Sequence, residues 1–353
     1  MSLPLAGNAR IRVLLVDDSP LVLTILARML STSPEIEVVG TANNGEVALE
    51  LVARLRPSVI CTDYHMPVMD GLELVRAVMA NYPCPILVIS GTVGPDNPDR
   101  IFKLLQAGAV DVFPKPGGGW GADDESTRQI VSKIKILASV VVFKRSATGM
   151  TPAASAKPVA APVAVRIVAI GASTGGPQAF QQILSELPQN FPCPVLCVQH
   201  ISEGFLQGLV EWLAGQCAVE VKIAAAGEVP RPGVVYFPRE GTHLTVDSKG
   251  RLHSSLAPPF ESHRPAVGVL FDSVALYYGS AVIAVLLTGM GSDGAEGMRT
   301  VARAGGVTVA QNEKSSVIFG MPKKAIEMGV VRHVLPLAEI SAMLVKCATG
   351  QRC

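Results

Sequence analysis

The stretch Val168-Ala-Ile-Gly-Ala-Ser-Thr-Gly-Gly-Pro177 decides how this chain is read. An apolar run, Ile167 to Ile170, leads into glycine, then serine and threonine, then two glycines and a proline. A continuous apolar run suits a strand covered on both faces, and the glycines admit a sharp turn into a helix. Such a turn can cradle a phosphate, present a nucleophile, or simply be tight. Which of these applies depends on the partners that the rest of the chain can offer Ser173.

The same alternation runs through both halves. Apolar runs at Ile11–Val16, Ile36–Val39, Ser58–Cys61, Ile86–Ile89 and Ala109–Val112 predict buried strands. Helical patterns at Leu21–Leu30, Gly45–Leu55 and Leu72–Ala80 lie between them. The alternation resumes at Ile167–Ile170, Val195–Val198 and Val282–Thr288, interrupted by Val234–Leu256, whose short alternating pieces predict a β-hairpin. Repeated βα units imply two α/β domains, each a doubly wound parallel sheet. The first is expected to be flavodoxin-like, the second Rossmann-like with an inserted β-hairpin. Between them Ser146 to Val163 reads SATGMTPAASAKPVAAPV, small residues and prolines without periodicity, as in a flexible tether. The expected domains are therefore 1–145 and 165–353, with a linker at 146–164.

Composition narrows the partners. A formal net charge of +1 gives no electrostatic hold on nucleic acid or on an anionic membrane. Met1 to Arg12 lacks the apolar core of a signal peptide. No apolar run approaches the roughly 18 residues of a membrane helix. A soluble cytoplasmic protein without membrane insertion is expected. The seven cysteines form no C-x-x-C pair, and Cys61, Cys193 and Cys197 fall in apolar runs as small core residues.

Ligands of open α/β sheets gather beyond the carboxyl ends of the strands. In the first half those ends carry Asp17 and Asp18, then Asp63, Ser90 and Lys115. Converging carboxylates repel one another and need a cation, and hard oxygen ligands favour Mg²⁺. Asp63 can then attack a phosphoryl donor, with the metal and Lys115 offsetting charge and Ser90 donating to a phosphoryl oxygen. Singly, these residues read as a helix start at Asp18-Ser19-Pro20, a loop acid, and a solvated turn at Lys115-Pro116. Their shared place at strand ends favours the joint reading. With VLLVDDSP, DYHMPVMDG, VIS and FPKP, the chain from about Ile11 to Val140 resembles the receiver domain of bacterial response regulators. The resemblance implies Asp63 as phosphoacceptor, Asp17 and Asp18 as its companion metal ligands, Ser90 as hydroxyl switch and Lys115 as phosphate partner. One departure is Val112, where receivers often carry an aromatic switch residue, with Phe113 beside it.

Three readings compete for Gly171-Ala-Ser-Thr-Gly-Gly176. A dinucleotide fingerprint needs glycine at the place of Ser173, and a P-loop needs lysine at the place of Pro177. A nucleophile elbow, G-x-S-x-G between strand and helix, fits, though the short match leaves a plain structural turn open. The second half offers five histidines as base: His200, His243, His253, His263 and His333. His200 directly follows the apolar run Val195-Leu-Cys-Val-Gln, on the strand edge that carries Ser173. His243 and His253 fall in the hairpin and are expected at the surface. His263, in Glu-Ser-His-Arg-Pro, can line a substrate cleft, and His333 after a late strand reads as structural. For the acid, Asp293 follows the longest apolar strand in a glycine-rich loop that can approach a reacting group closely. Asp247 in a turn and Asp272 on a helical face are poorer candidates. Serine, histidine and aspartate in this order differ from the α/β-hydrolase succession, so the geometry would recur on another topology.

GASTGGP, VQH, RPGVVYFP, HRPAVGVLF, LTGMGSDGA and AQNEKSSVIFGMP together resemble the catalytic domain of chemotaxis protein-glutamate methylesterases, from about Arg166 to Val345. The resemblance implies Ser173, His200 and Asp293 as a catalytic triad, with oxyanion support near Thr174 and Met290. It implies methylglutamates of methyl-accepting chemoreceptors as substrates, methanol as product, and deamidation of receptor glutamines at the same site. It further implies a chemotaxis histidine kinase as phosphodonor, no cofactor beyond the receiver's Mg²⁺, and a resting receiver that restricts access to Ser173. Glu261-Ser262 stands where asparagine-arginine is often found. The rival is a non-catalytic response regulator whose second domain only binds a partner or nucleotide. It leaves unexplained why Ser173, His200 and Asp293 all follow strands.

Overall fold

The computed structural model describes residues 10–91, 99–115, 124–140 and 164–351. The chain divides into two compact units, Met1–Lys144 and Arg145–Cys353. The expected tether, apart from Ala164, lies outside the described residues.

In the first unit strands and helices alternate: β1 (Ile11–Val16), α1 (Pro20–Leu30), β2 (Ile36–Ala42), α2 (Gly45–Leu55), β3 (Val59–Thr62), α3 (Gly71–Asn81), β4 (Ile86–Ser90), α4 (Asp99–Ala107), β5 (Asp111–Pro114) and α5 (Asp124–Leu137). The strands pair in parallel in the order β2-β1-β3-β4-β5. Every residue of β3 and β4 is buried, as expected of strands covered on both faces. Helix starts are chemically marked, most fully at α3, where Asp70 and Glu73 form a reciprocal capping box. The fifth strand begins two residues later than its apolar run suggests. Ala109 is buried, but its N–H still bonds the Leu104 carbonyl of α4, so it belongs to the turn.

The second unit continues with β6 (Ile167–Ala172), α6 (Gly176–Ser185), β7 (Val195–Gln199), α7 (Leu206–Ala214), β8 (Glu220–Ile223), β9 (Val234–Phe237), β10 (His243–Val246) and β11 (Leu252–Ser255). It closes with α8 (Val267–Tyr278), β12 (Val282–Leu286), α9 (Ala295–Arg303), β13 (Val307–Gln311), α10 (Met321–Glu327), β14 (His333–Leu335) and α11 (Leu337–Ala348). Seven strands form one sheet in the order β14-β13-β12-β6-β7-β9-β8, paired in parallel throughout. Only β10 and β11 form the antiparallel hairpin, so the expected insertion is shorter than Val234–Leu256. The apolar Val234–Phe237, buried along its whole length, joins the main sheet instead. A core of Leu270, Phe271, Leu286, Met298 and Tyr236 packs α8 and α9 onto the sheet. The central β6 is flanked by β12 and β7. Neighbouring strands lie about 4.8 Å apart, so the turns leaving these three strands are adjacent.

Candidate functional site

In the first unit β1 delivers Asp17, whose Oδ1 accepts the Ser19 N–H at 2.9 Å. Asp63 follows β3, and its N–H bonds the Val16 carbonyl at 2.9 Å. Lys115 follows β5 and donates its N–H to the Ser90 carbonyl at 2.5 Å. Its Nζ reaches Asp63 Oδ2 at 2.7 Å and Asp17 Oδ2 at 2.9 Å. Asp17 and Asp63 are buried, Asp18 is exposed at the rim, and one oxygen from each lies within 4.8 Å of the others. Burial pushes the Asp63 carboxyl above its ordinary value, although the bond and charge of Lys115 pull it down. Burial would lower the Lys115 ammonium, but Asp63 and Asp17 outweigh it and hold the group high. Three carboxylates facing one ammonium leave negative charge uncompensated, and an all-oxygen donor set fits a hard divalent cation such as Mg²⁺. Val112 and Phe113 are both buried, so the position usually given to a switching aromatic holds a packed aliphatic side chain.

In the second unit the turn after β6 is built for close approach. Gly175 has φ 78°, and the Gly176 N–H bonds the Ser173 carbonyl at 2.8 Å. The Ser173 N–H donates to the Thr288 carbonyl at 3.0 Å. Gly289 passes directly beneath: a Cβ there would lie 2.7 Å from Ser173 Cβ and 2.3 Å from Met321 Sδ. Thr288 is itself held, its N–H by Gln311 Oε1 at 2.8 Å and its hydroxyl by the Thr174 carbonyl at 3.0 Å.

His200 follows β7, and its N–H bonds the Ala172 carbonyl at 3.0 Å. Its Nε2 lies 2.8 Å from Asp293 Oδ2, and its Nδ1 is buried without a hydrogen-bond partner among the described residues. Asp293, 1% exposed, also accepts the Val267 N–H at 2.7 Å and the Gly268 N–H at 2.8 Å. It thereby caps α8, whose own N-cap residue Ala266 has no side chain able to do so. Burial raises the Asp293 carboxyl, but His200 and the two amides outweigh it and hold the group below the ordinary carboxylate value. A carboxylate kept ionised obliges Nε2 to carry the imidazole proton, leaving the Nδ1 lone pair free.

The structure brings His200 and Asp293 into contact and sets Ser173 on the neighbouring turn, with no hydrogen bond between the Ser173 hydroxyl and His200. Of the two residues expected to support an oxyanion, Thr174 is buried and Met290 is exposed. The Ser173 N–H is already engaged, whereas the Met290 N–H has no partner among the described residues. His253 is exposed as expected, but His243 is not. It is 1% exposed, its Nδ1 accepting the Ala266 N–H and its Nε2 meeting the Pro258 carbonyl, so it is a structural residue. His333 opens β14 rather than following a strand, and its buried Nε2 has no partner among the described residues. Sequence reasoning passed over Gln199, whose Nε2 donates to the carbonyls of both Ser173 and His200, at 2.7 and 2.8 Å. The available signal was an amide at the last position of an otherwise apolar strand.

His263, left as a cleft residue by the sequence, lies flat on His200, with ring centroids 3.9 Å apart and planes 13° from parallel. One atom each from His200, His263 and Asp293 falls within 4.8 Å of the others, the spacing of a metal site. An imidazole binds a metal in its own plane, and two stacked planes share no such point. The cluster suits proton handling rather than metal binding.

An acid pocket with a lysine on one unit and a histidine–aspartate pair beside a serine turn on the other define a response regulator whose output is an enzyme. The family model for the response regulator receiver domain matches residues 13–119, and that for CheB methylesterase matches residues 168–344. The chain belongs to the CheB methylesterase family. It is 40% identical to a protein-glutamate methylesterase/protein-glutamine glutaminase of Nitrosospira multiformis, over 95% of this chain and 96% of that one. A protein-glutamate methylesterase/protein-glutamine glutaminase of Geobacter metallireducens is 42% identical over 96% and 99% of the two chains. The crystal structure of the CheB methylesterase catalytic domain of Thermotoga maritima covers 52% of this chain and 99% of its own, with 39% identity and a TM-score of 0.50.

Proposed function

We propose that the second unit hydrolyses methyl esters of glutamate side chains on methyl-accepting chemoreceptors, and deamidates receptor glutamines, under control of phosphorylation at Asp63. The observation that carries this reading is His200, tied to Asp293 through Nε2 at 2.8 Å, with Nδ1 buried and unpartnered among the described residues. Ser173 Oγ attacks the ester carbonyl while its proton passes to His200 Nδ1. Asp293 holds the tautomer and stabilises the imidazolium, and the unengaged Met290 N–H would donate to the developing oxyanion. The tetrahedral intermediate expels methoxide, which leaves as methanol with the proton from Nδ1. Water, deprotonated by Nδ1, then attacks the acyl-serine, releasing the glutamate carboxylate and restoring the serine hydroxyl. An amide follows the same course and releases ammonia.

In the receiver, Asp17, Asp18 and Asp63 would hold Mg²⁺, which when bound supplies charge neutralisation for the incoming phosphoryl group. Asp63 takes that group from a donor such as a chemotaxis histidine kinase. Lys115 Nζ contacts the acceptor carboxylate, and Ser90 stands at the next strand end to donate its hydroxyl. No helix among the described residues is long and apolar enough to cross a membrane, and the reading takes the cytoplasm as its compartment.

The test is methanol release from methylated receptor membranes, with and without a small phosphodonor. Ser173→Ala should lower the rate by on the order of 10⁴ while leaving the fold intact. Near-normal turnover by that variant would remove Ser173 as the nucleophile.

A further inference from the structure

His263 has no task in the chemistry above, yet its ring covers the base. The segment that carries it is braced at several points. At its foot, His243 holds the Ala266 N–H at 3.1 Å and the Pro258 carbonyl at 3.2 Å. At its tip, Phe260 and His263 exchange backbone hydrogen bonds of 3.0 and 2.9 Å around Glu261 and Ser262, whose φ angles are 47° and 66°. Such a two-residue turn ordinarily selects glycine or asparagine, so two other residues there mark a turn that its surroundings impose. The Glu261 carboxylate accepts the Ser292 hydroxyl at 2.9 Å, beside Asp293.

The ring of His263 is also fixed in protonation. Its Nδ1 lies 2.7 Å from the Glu261 carbonyl, which only an N–H can satisfy, so Nε2 bears the lone pair. Burial and the neighbouring His200 hold its pKa below the ordinary histidine value, against the pull of Asp293 and of that carbonyl. Arg264, the next residue, is drawn away towards the carbonyls of Leu256 and Ala257.

His200 is anchored to Asp293 at one ring atom. A single hydrogen bond leaves the ring free to rock about its Cβ–Cγ bond, and Nδ1 would move with it. A flat neighbour across its face removes that motion. We propose that His263 is a positioning residue for the esterase reaction: stacked on His200, it fixes the plane in which Nδ1 meets the nucleophile and shields the His200–Asp293 hydrogen bond from water. The inference rests on the reading of Ser173, His200 and Asp293 as the reacting set.

The experiment uses the full chain as wild type, His263→Ala and His263→Phe. It measures methanol release from methylated receptor membranes and the exchange of the His200 Nε2–H with water by proton NMR. Alanine empties the face of His200, so kcat should fall about 10- to 100-fold, as small misplacements of reacting groups do, with KM little changed. The imidazole N–H should then exchange too fast to be seen. Phenylalanine restores a flat ring without nitrogen and should recover most of kcat and the protected resonance. An unchanged kcat in His263→Ala overturns the proposal. So does equal impairment of both variants with the resonance intact, which would place the action in the His263 nitrogens. A raised KM at constant kcat would make His263 a substrate contact, and also overturns it. A wild-type chain releasing no methanol would defeat the esterase reading instead. The exchange measurement would still decide whether His263 protects the imidazole proton.

Discussion

Asp293→Asn separates two tasks of one carboxylate. Oδ2 accepts from Val267 N–H at 2.7 Å and from His200 Nε2 at 2.8 Å, while Oδ1 accepts from Gly268 N–H at 2.8 Å. An amide keeps one acceptor and turns the other into a donor. With its oxygen at the Oδ2 position, asparagine satisfies two donors and opposes one; turned round, it opposes the Val267 N–H and forces the imidazole proton onto Nδ1, which has no acceptor among the described residues. The first orientation is favoured, so His200 keeps its proton on Nε2 and Nδ1 stays free to act. The variant loses the charge rather than the tautomer. A carboxylate about 4 Å from an imidazolium contributes about 4 kcal/mol at an effective dielectric near 20. Its loss corresponds to roughly 10³-fold in kcat. Stability falls as well, because the buried Gly268 N–H then faces an NH₂, a cost of about 1–3 kcal/mol. Removing an anion from the start of α8 adds up to about 1 kcal/mol. Methanol release gives the first quantity, urea unfolding the second, and the ¹⁵N shifts of His200 report the tautomer. A kcat within about tenfold of wild type would refute the charge argument. A proton found on Nδ1 would refute the orientation.

Other perturbations probe different parts of the chain. Because the Asp293 pKa is lowered in the folded state, its contribution to stability is complete above the ordinary carboxylate value and is lost as pH falls through the folded one. Thermal unfolding followed below about pH 4 should therefore fall more steeply for wild type than for Asp293→Asn, and parallel curves would contradict the shift. Gly289→Ala would set a methyl group 2.3 Å from Met321 Sδ and 2.7 Å from Ser173 Cβ. Unfolding should show about 1–3 kcal/mol of destabilisation from overpacking, with kcat reduced as the serine turn is displaced. Chelation of divalent cations should stop phosphoryl incorporation from a small donor, and so should Asp63→Ala. Intact-mass measurement checks both, and a persistent gain of one phosphoryl group in Asp63→Ala would assign the acceptor elsewhere.

Much of the architecture was legible because buried parallel strands are continuous apolar runs. The bounds expected for β1 and α2 are those found. The same continuity explains the failures. Val234–Phe237 carries no alternation that would separate a sheet strand from a hairpin arm, and only its pairing with β7 and β8 reveals its place. Ala109 is as apolar as a strand residue but completes the turn of α4. Within the site, the sequence order and strand-end positions singled out Ser173, His200 and Asp293, since polar residues closing apolar runs are conspicuous. It gave no sign that His200 would meet its acid through Nε2. Nor could it show that His243 would be buried, because that follows from contacts with Pro258 and Ala266, 15 and 23 residues further along.

The serine, the histidine and the acid leave three separate strands, and the histidine–acid hydrogen bond spans 93 positions of chain. Between them the polypeptide must complete α7, β8 to β11, α8 and β12 before Asp293 can reach His200. Non-local contacts of this kind form late, because closing a long loop costs entropy before any contact offsets it. A chain missing its final third carries Ser173 and His200 but not Asp293, the acid that meets the imidazole. On the proposed reading, esterase activity is therefore a readout of completed folding, and a partly made molecule lacks the acid its histidine needs.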